Sequence, residues 1–411
     1  MKIAIIGTGI SGLTAAYILN KKHHITVFEK NDYIGGHTHT HSINNINVDS
    51  GFIVYNENTY PNFIKLLDQL NVERQKTTMG FSVKSDSDKF EYSGASVNAL
   101  FAQRSNLFRP FFYRMIFDII KFNKYAKNDL KHLSEKITLL EYISDKNFSN
   151  SFINHYIVPM GAAIWSTKAD SIFNIPALFF IRFFKNHGLL QIFNRPDWWV
   201  IKGGSNQYIK KLIKPFHTQI RINTPINKIR RTDAQVLLSN GRNNTEEAFD
   251  KVIIATHSNQ ALQMLSDPTK NEEEILRSIQ YQNNKAILHT DTSVLPNRKL
   301  AWASWNYYLD HLTNRPVSLT YNMKILQNLN STDTFCVTLN NNQSINKNQI
   351  IKYLDYDHPL FNLNAMKAQS RKDEINGKNN TYYCGAYWHN GFHEDGVVSA
   401  LEVCQHFGLS L

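Results

Sequence analysis

The segment KIAIIGTGISGL, residues 2–13, decides the fold, because it runs from a short apolar strand into a glycine-rich turn without a gap. A helix is expected over residues 13–19, and a second strand over residues 25–29 ends on the acid Glu29. Strand, Gly-x-Gly-x-x-Gly turn, helix, strand and acid follow one another in the order of a dinucleotide-binding βαβ unit. The segment therefore predicts an α/β domain that binds a dinucleotide.

The residues of the turn have separate predicted roles. Gly7 permits the tight turn, Gly9 lets the backbone approach a pyrophosphate, and Gly12 lets helix and strand pack closely. Ile10 and Ser11 stand where the helix offers its first N–H groups and its positive dipole end to phosphates. The turn is thus predicted to hold the phosphates of the dinucleotide.

Beyond the second strand, an acid and a glycine pair extend the predicted site. Glu29 is placed to accept hydrogen bonds from ribose hydroxyls, with Lys30 beside it. Gly35 and Gly36 follow, a pair that is unusual for nicotinamide dehydrogenases. We expect such a pair where a longer cofactor continues along the sheet edge; the alternative is an ordinary turn.

Composition excludes several classes of protein. The chain has 411 residues, of which 42% are hydrophobic and 19% charged, so it is long enough for two domains and neither disordered nor fibrous. Its net charge of +11 suits a nucleic acid, a membrane surface or an anionic cofactor. Because the basic residues are scattered along the chain, nucleic acid is not an expected partner.

Cysteine usage and hydropathy bear on the compartment. Cys336, Cys384 and Cys404 form no Cys-x-x-Cys pair, which excludes a disulfide framework, a zinc site of the usual spacing and a redox-active dithiol. The first strand leaves no room for a signal peptide, and no uncharged apolar run reaches the roughly 18 residues of a spanning helix. We expect a cytoplasmic protein without a metal, which touches the inner face of a membrane at most.

Five motifs together carry a resemblance. GTGISG with Glu29 and GGHTHT (residues 35–40) resembles the FAD-binding start of the flavin monooxidase superfamily, which includes amine oxidases, protoporphyrinogen oxidases and phytoene-desaturase-like enzymes. VDSGFIVYNENTYPNF (residues 48–63), which contains Gly51 and Phe52, is similar to that superfamily's Asp-x-Gly segment near the flavin. With WASWN and GFHEDG, the chain resembles a bacterial group called predicted NAD/FAD-binding proteins or FAD-dependent oxidoreductases.

The resemblance implies an α/β fold with a Rossmann-like FAD-binding domain and an inserted α+β substrate-binding domain. We expect the FAD-binding domain over residues 1–75, 198–268 and 375–411, and the substrate-binding domain over residues 76–197 and 269–374. The implied FAD is non-covalent, because no cysteine or histidine stands at a recognisable attachment position.

The resemblance also implies further cofactor contacts. The superfamily commonly has Arg after the glycine pair, near the pyrophosphate, whereas this chain has His37, which carries less charge, followed by Thr38. The resemblance assigns the adenine edge to the main chain of Ile226. It places the flavin pyrimidine ring at a helix that starts at Gly396 and Val397. The remaining carried-over positions, at the ends of two strands, are Ala255, Thr256, Gly385 and Ala386.

Several residues are candidates for the substrate cavity. Residues 151–168 are similar to a segment that walls the cavity in these oxidases, with His155, Met160 and Trp165 as candidate lining residues. Trp302 and Trp305 are expected on the same side of a strand, either as an aromatic wall above a flavin or as a core patch.

Two segments have open interpretations. Gly203-Gly204-Ser205 is either the superfamily's entry into a helix or a plain N-cap. In the predicted helix over residues 98–127, Arg114, Asp118 and Lys121 share one face and most other positions are apolar. That helix either lies on an anionic membrane or packs against the rest of the substrate domain.

The chemistry follows from what is present and what is missing. A flavin carries the redox chemistry, and the protein positions a C–H or N–H bond against it. The chain has no second Gly-x-Gly-x-x-Gly, so dioxygen or a membrane quinone is the expected electron acceptor. Amine oxidases of the superfamily often hold a lysine near flavin N5. Here Lys285 comes too early, and His289 or Asp291 lies nearer that place.

Three functions remain open at this point. The favoured one is an FAD-dependent oxidoreductase that oxidises, desaturates or isomerises an apolar, lipid or fatty-acyl-like small molecule, because the resemblance links the group with lipid modification. The second is an amine oxidase acting on a polar amine. The third is a non-catalytic flavoprotein in a lipid-modifying complex. The sequence assigns no catalytic acid or base and no oligomeric state.

Overall fold

Strands and helices mix throughout residues 1–191, 195–240, 246–309, 318–340 and 345–411, which the computed structural model describes. The strands there are β1 (Lys2–Ile6), β2 (His24–Phe28), β3 (Thr40–Ile43), β4 (Ile46–Asp49), β5 (Val54–Asn56), β6 (Arg74–Thr77), β7 (Phe81–Ser85), β8 (Phe90–Ser93), β9 (Trp198–Ile201), β10 (Ile220–Arg221), β11 (Lys228–Arg231), β12 (Val236–Ser239), β13 (Glu246–Phe249), β14 (Lys251–Ile254), β15 (Tyr281–His289), β16 (Trp305–Tyr308), β17 (Ser318–Asn322), β18 (Cys336–Leu339), β19 (Ile350–Pro359) and β20 (Thr381–Tyr383).

The α-helices of the same residues complete the element list. They are α1 (Ile10–Leu19), α2 (Pro61–Gln69), α3 (Val97–Leu100), α4 (Pro110–Asp129), α5 (Leu139–Asp145), α6 (Asn150–Phe152), α7 (Val158–Trp165), α8 (Ala169–Phe173), α9 (Ala177–Asn186), α10 (Asn206–Ile213), α11 (Ser258–Met264), α12 (Lys270–Ser278), α13 (Met323–Leu326), α14 (Leu363–Ser370) and α15 (His393–Gln405).

A parallel five-stranded sheet, in the order β10-β2-β1-β14-β20, forms the first part of the fold. Its central strand β1 is apolar on both faces because both are covered. Ile3 and Ile5 pack with α1, α2, α10 and α15, whereas Ala4 and Ile6 pack with β11–β13, α11 and α12. The prediction of a Rossmann-like α/β fold is confirmed.

A mixed seven-stranded sheet, in the order β19-β15-β18-β17-β16-β7-β8, forms the second part. Its β16–β7 pair is parallel, and the other pairs are antiparallel. One face is apolar and packs on the helices between residues 110 and 186, with Val83, Tyr307 and Leu319 buried there. The strands of the first sheet fall within the three predicted FAD-binding segments; the domain boundaries themselves stay a prediction.

Local sequence explains most element ends. Helix α10 spans Asn206–Ile213, as predicted. The predicted helix over residues 98–127 is wrong as a single element: it divides into α3, a 3₁₀ turn at Arg104–Phe108 and α4, because Pro110 cannot lie inside a helix and starts α4 instead. In the described ranges, none of the helices has the length and apolar character needed to cross a membrane.

Candidate functional site

Two glycines at the carboxyl end of β1 are required by neighbouring backbone. Gly7 has φ of +104° and donates its N–H to the carbonyl of Phe28 at 2.8 Å. A Cβ on Gly7 would lie 2.9 Å from the Ala255 oxygen, near Thr256, and a Cβ on Gly12 would lie 2.0 Å from the Gly7 oxygen. The turn, α1 and the end of β14 therefore come together at this edge.

The N-terminus of α1 is open. No side chain in the described part of the chain caps it at Gly9. Among the described residues, a Cβ on Gly9 would meet nothing within 4 Å, although a Cβ on Gly36 would lie 3.0 Å from the Gly9 Cα. The first turn of α1, with Ile10 and Ser11, therefore borders a free space that a negatively charged ligand group can enter. This space fits the pyrophosphate of a dinucleotide.

Glu29 is buried beside this turn, with 5% of its surface exposed. Its Oε2 accepts the Thr8 N–H at 3.0 Å and the Thr8 hydroxyl at 2.5 Å, and its Oε1 accepts the Asn31 N–H at 2.9 Å. Because Oε1 accepts only one donor, it has capacity for a further one, such as a ribose hydroxyl. Lys30, by contrast, is exposed.

The glycine pair has a backbone that other residues rarely adopt. Gly35 has φ of +132° and Gly36 has φ of +58°. A Cβ on Gly35 would lie 2.5 Å from the Thr38 carbonyl oxygen, while the Gly35 N–H donates to the Thr8 hydroxyl at 3.3 Å. The pair therefore brings the backbone close to the N-terminus of α1. An ordinary surface turn would not need two glycines with so little space around them.

His37 lies in a group of aromatic rings between the two sheets. Its ring centroid is 5.8 Å from His257, 5.2 Å from Tyr356 and 5.7 Å from His358. Burial lowers the pKa of His37, and it lowers the pKa of His257 and His358 to about 3. These imidazoles are neutral at pH 7, so His37 does not replace the charge of an arginine.

Two nitrogens of this group remain available. His37 Nε2 and His257 Nδ1 are buried and have no hydrogen-bond partner within the described residues. Buried polar atoms of this kind are usually satisfied, so they fit a polar ligand at this edge. Across the same described residues, no set of His, Cys, Asp or Glu side chains is arranged to hold a metal ion.

The Asp-x-Gly segment and the Gly-Gly-Ser turn are joined by one carboxylate. Asp49 is fully buried and accepts the Ser205 N–H at 3.0 Å and the Ser205 hydroxyl at 2.9 Å, besides the Thr40 hydroxyl. Ser205 does not cap α10 with its side chain, so the interpretation as a plain N-cap is wrong. Burial raises the pKa of Asp49 to about 6.

Gly51 and Phe52 follow that carboxylate and lie against His37. A Cβ on Gly51 would stand 2.0 Å from the His37 carbonyl oxygen, and the Phe52 N–H donates to the same oxygen at 2.7 Å. The two segments therefore approach as closely as neighbouring strands, and Gly51 is required by this approach.

The C-terminal helix begins earlier than predicted. Helix α15 starts at His393, and the Gly396 N–H already donates to the Phe392 carbonyl at 3.2 Å. Gly396 and Val397 therefore do not supply the free N–H groups of the helix start; the first turn, from His393, does. A Cβ on Gly396 would lie 2.6 Å from Ile10 Cγ2, so this glycine lets α15 pack on α1.

The other carried-over positions surround the same sheet. The Ala255 N–H continues the sheet by donating to the Ile6 carbonyl at 2.8 Å. Ile226 is buried with the apolar cluster under β2 and β14. The Gly385 N–H donates to the Ser399 hydroxyl at 3.0 Å, and the Ala386 carbonyl accepts the Gly391 N–H at 3.1 Å. These contacts are within the protein; cofactor binding by these residues stays a prediction.

A chain of polar contacts near Thr38 was missed by the sequence interpretation. The hydroxyls of Thr38 and Tyr208 are 2.5 Å apart, and the Tyr208 hydroxyl lies 2.7 Å from His393 Nε2. The His393 ring stacks on Phe52 at 3.7 Å between centroids. A histidine inside the GFHEDG motif was the available signal, and the structure places it between the Asp-x-Gly segment and α15.

Aromatic side chains continue from α15 into the helical region and form a buried cluster that we call the aromatic wall. Phe392 stacks on Phe183 at 4.9 Å, Phe183 lies 4.9 Å from Trp165, and Phe179 bridges Trp165 at 5.6 Å and Phe361 at 5.3 Å. Residues from both the predicted FAD-binding segments and the predicted substrate-binding segments contribute to the aromatic wall. Met160, on α7 with Trp165, packs in the same apolar cluster.

Trp305 borders this cluster, and Trp302 does not share its surroundings. Trp305 begins β16 and meets Tyr321 edge-on at 5.5 Å. Trp302 follows a 3₁₀ turn, precedes the strand and donates its indole N–H to the Pro296 carbonyl at 2.8 Å. The prediction that both tryptophans lie on one side of a strand is therefore wrong, because β16 starts only at Trp305 and because residues three positions apart on a strand face opposite sides.

Three other candidates lie away from the aromatic wall. His155 Nε2 is 3.4 Å from an Asp88 oxygen, with the ring against Phe90 and Phe111. Lys285 is exposed on β15. His289 is fully buried but faces Thr338, on the sheet face opposite to Trp305 and Tyr321.

Known sequences are similar to this chain over different lengths. The profile of the family described as flavin containing amine oxidoreductase matches residues 10–336. The 1-hydroxycarotenoid 3,4-desaturase of Flavobacterium sp. (strain P99-3) is 44% identical over 70 residues, 17% of this chain and 14% of that protein. Achacin of Lissachatina fulica is 35% identical over 83 residues, 19% of this chain and 16% of that protein. Both matches cover less than a fifth of the relative's length.

Solved structures match over nearly the whole chain. The CLA-producing fatty acid isomerase from P. acnes has a TM-score of 0.72 at 14% identity, covering 98% of each chain. Cyclohexylamine oxidase from Brevibacterium oxydans IH-35A has a TM-score of 0.69 at 13% identity, covering 99% of each chain. A putative protoporphyrinogen oxidase from Exiguobacterium sp. 255-15 has a TM-score of 0.70 at 15% identity, covering 99% of this chain and 98% of that one. At such identities the likeness is one of fold.

Proposed function

The chain belongs to the flavin containing amine oxidoreductase family, and from that premise we propose that this FAD-dependent oxidoreductase acts on an apolar, lipid or fatty-acyl-like substrate. The reaction would be an oxidation, a desaturation or an isomerisation. The observation that carries the substrate class is the aromatic wall, which extends from Phe361 and Trp165 to Phe392 at the start of α15. Sites that bind apolar small molecules are lined by apolar and aromatic side chains of this kind.

We call the turn Gly7–Gly12, Glu29, the pair Gly35-Gly36 and Gly51 the cofactor edge, and its geometry supports the proposal that it holds FAD. The open N-terminus of α1 would take the pyrophosphate, and Glu29 would accept the ribose hydroxyls, beside the neutral imidazole of His37. The first turn of α15 would offer its N–H groups to the flavin end. When bound, FAD supplies the acceptor for two electrons from a substrate C–H or N–H bond.

The cofactor is proposed to be non-covalent. Cys336, Cys384 and Cys404 are all buried. Burial raises the pKa of the Cys384 thiol, which immediately follows β20, so this sulfur is protonated at neutral pH. A protonated, buried thiol is a poor nucleophile for attachment to a flavin ring.

Two donors near the aromatic wall suit the polar end of a largely apolar molecule. The indole Nε1 atoms of Trp165 and Trp305 are buried and lack a hydrogen-bond partner among the described residues. Each can donate to a carbonyl or carboxylate oxygen. An acyl chain with one oxygen-bearing end would satisfy them while its hydrocarbon part contacts Phe179 and Phe183.

A polar amine is less well matched. Lys285 is exposed and does not reach the aromatic wall. The carboxylates at the start of α15 are committed to backbone donors, because Glu394 accepts the Phe63 N–H at 2.8 Å and Asp395 accepts the Phe392 N–H at 2.8 Å. Both carboxylates therefore already hold the backbone at Phe392 and at the start of α2 in place.

Anaerobic reduction of the bound flavin tests the proposal. The yellow protein is mixed with fatty acids and a phospholipid extract in one set and with a polyamine set in another, and loss of flavin absorbance is recorded. The lipids are then analysed by mass spectrometry, because isomerisation shifts a double bond without net flavin reduction. We expect bleaching or double-bond migration with lipids alone.

The other outcomes are equally clear. Bleaching by amines and not by lipids would make the chain an amine oxidase. No bleaching and no lipid product with either set would favour the non-catalytic flavoprotein. A protein whose yellow colour stays with the acid-precipitated pellet would refute non-covalent binding.

A further inference from the structure

An unusual share of exposed apolar surface lies in one short stretch of the substrate-binding part. Six of the twelve large hydrophobic side chains that are exposed among the described residues fall between residues 97 and 120. We call this surface the apolar ridge; its members, with exposed fractions, are Val97 (76%), Leu107 (43%), Phe108 (86%), Tyr113 (48%), Phe117 (59%) and Ile120 (51%). Grouped exposure on this scale marks an interaction surface.

The helix α4 holds the apolar ridge outward by its own packing. Phe112, Met115 and Phe122 are buried in the helical core on the other side. On a helix with 3.6 residues per turn, Tyr113 and Ile120 lie within about 60° of Phe117. The three members on α4 therefore form one face, and the Tyr113 hydroxyl joins that face to the preceding turn by donating to the Leu107 carbonyl at 2.9 Å.

Of the three polar residues that share one face of α4, only Arg114 is exposed. Asp118 is fully buried and accepts the Ser149 N–H at 3.0 Å, while Lys121 Nζ donates to the Lys146 carbonyl at 2.8 Å. Both side chains are used inside the protein. The outward face is instead apolar at its start and basic at its end, where Lys124 and Lys127 are exposed.

The basic residues around the apolar ridge favour an anionic partner. Between residues 97 and 131 the sequence has seven Lys and Arg against two Asp. One of these, Asp118, is buried, and the other, Asp129, lies 3.5 Å from Lys146 Nζ. A second copy of this chain would bring the same basic groups face to face, which is unfavourable. An anionic lipid surface instead accepts the apolar side chains and attracts the lysines.

We propose that the apolar ridge, with the lysines that follow it on α4 and just beyond its end, docks this protein on an anionic lipid bilayer. The side chains of the ridge enter the interfacial region, and Lys124, Lys127 and Lys131 contact the lipid phosphates. This inference does not rest on the proposed function, because docking needs neither flavin nor turnover.

Co-sedimentation of the flavin-loaded protein with vesicles tests the docking. One set of vesicles is phosphatidylcholine alone, and the other also contains phosphatidylglycerol. We expect binding to the anionic vesicles that weakens as salt rises. Phe108→Ser with Phe117→Ser and Ile120→Ser should weaken that binding at least about tenfold, since burying even one such side chain is worth that factor.

Matched variants separate docking from general effects. Ile351→Ser with Tyr353→Ser removes exposed apolar side chains on β19 and should leave vesicle binding unchanged. Lys124→Gln with Lys127→Gln and Lys131→Gln changes only exposed residues, so it tests the charge contribution even if the ridge variant fails to fold. It should lower binding to anionic vesicles and abolish its salt dependence.

Three results would overturn the proposal. The first is equal binding of the parent protein to both vesicle sets, or none to either. The second is parent-like binding by the lysine variant. The third is a dimer in sedimentation velocity that the serine substitutions on the apolar ridge disperse while vesicle binding is absent, which would assign the ridge to a second copy of the chain.

Discussion

The cofactor edge and the aromatic wall are built in different ways. At the cofactor edge, positions are set by backbone: Gly7, Gly12 and Gly51 each stand where a Cβ would meet a carbonyl oxygen or carbon within 3 Å. At the aromatic wall, positions are set by side chains from distant segments, such as Phe183 and Phe392. The cofactor edge therefore tolerates no added side-chain atom at these glycines. The aromatic wall tolerates a smaller side chain at a cost in packing energy.

This difference decides what substitutions should do. A backbone approach leaves no freedom to relax, so a single methyl group there displaces a whole element. A side-chain contact in a core can be truncated, which leaves a cavity and a smaller loss. The two regions should therefore separate cleanly when stability, flavin content and flavin reduction by substrate are measured on the same variants.

The largest effect is expected at Gly12. In Gly12→Ala the new Cβ would stand 2.0 Å from the Gly7 carbonyl oxygen, so α1 must leave β1. We expect a loss of more than about 4 kcal/mol in the free energy of unfolding. The protein should be recovered without flavin, as judged by the ratio of absorbance at the flavin band to that of protein.

Gly9→Ala is the matched control for that variant. Among the described residues its Cβ would meet nothing within 4 Å, so the unfolding midpoint of the apoprotein should stay close to that of the parent. Flavin retention should still be lost, because the methyl group enters the space assigned to the pyrophosphate. A fully yellow Gly9→Ala protein would show that this space is not the phosphate site.

The second effect tests the aromatic wall. Phe183→Ala removes a ring that lies 4.9 Å from both Trp165 and Phe392. We expect a loss of about 3 kcal/mol in unfolding free energy, normal flavin content and slower reduction of the flavin by the lipid substrate. Phe122→Ala, in the core of α4, should cost similar stability without slowing that reduction. Equal rates in the two variants would remove the aromatic wall from the substrate site.

The two regions also differ in how far the sequence predicts them. The turn Gly7–Gly12 lies between β1 and α1 as the sequence predicts, because it is within a few residues of both elements. Cofactor binding by this turn, by Gly35-Gly36 and by Glu29 stays a prediction. The family assignment is confirmed for the same reason, since short motifs carry it. The carboxylate of Asp49 on Ser205, which joins positions 156 residues apart, has no local signal.

The errors have the same origin. The start of α15 was predicted three residues too late, because Glu394 and Asp395 resemble loop residues until their backbone partners are known. Trp302 was assigned to a strand that begins only at Trp305, since the preceding turn has no distinctive composition. The burial of Asp118 on α4 likewise has no local signal, because it depends on a contact with Ser149, 31 residues away.

The third prediction concerns the polar face of the large sheet, behind the aromatic wall. His289 is fully buried; its Nδ1 accepts the Asp291 N–H at 3.1 Å, so that its Nε2 donates to the Thr338 hydroxyl at 2.7 Å. Burial lowers the pKa of His289 to about 4. Between about pH 6.5 and pH 4, His289 is therefore protonated in the unfolded chain and neutral in the folded protein. As a result, the free energy of unfolding falls as the pH drops through this range.

This predicts a measurable pH dependence. At pH 5 the contribution of His289 amounts to a loss of about 2 kcal/mol relative to neutral pH. In His289→Gln, the loss of unfolding free energy between pH 7 and pH 5 should be smaller than in the parent by that amount, as measured by urea unfolding. His217→Gln, at an exposed histidine, should follow the parent. Parallel curves for all three proteins would mean that His289 is protonated in the folded state.

The smallest effect is expected at Glu394, which belongs to a cofactor motif but serves the fold. Its carboxylate accepts the Asn62 N–H at 3.0 Å and the Phe63 N–H at 2.8 Å, and so caps α2. In Glu394→Gln one oxygen becomes an amide nitrogen that cannot accept, so we expect a loss of about 1 to 1.5 kcal/mol. FAD affinity should change less than about twofold.

Glu402→Gln on the same helix is the control for Glu394→Gln. Glu402 is partly exposed and pairs with Lys372 at 2.7 Å, so its substitution should cost less than about 0.5 kcal/mol. Because both variants lose one charge on α15, a difference between them measures the cap and not the charge. If Glu394→Gln instead lowered FAD affinity tenfold at parental stability, Glu394 would belong to the cofactor edge. The start of α15 would then contribute to ligand binding through its side chains and not only to the stability of the fold.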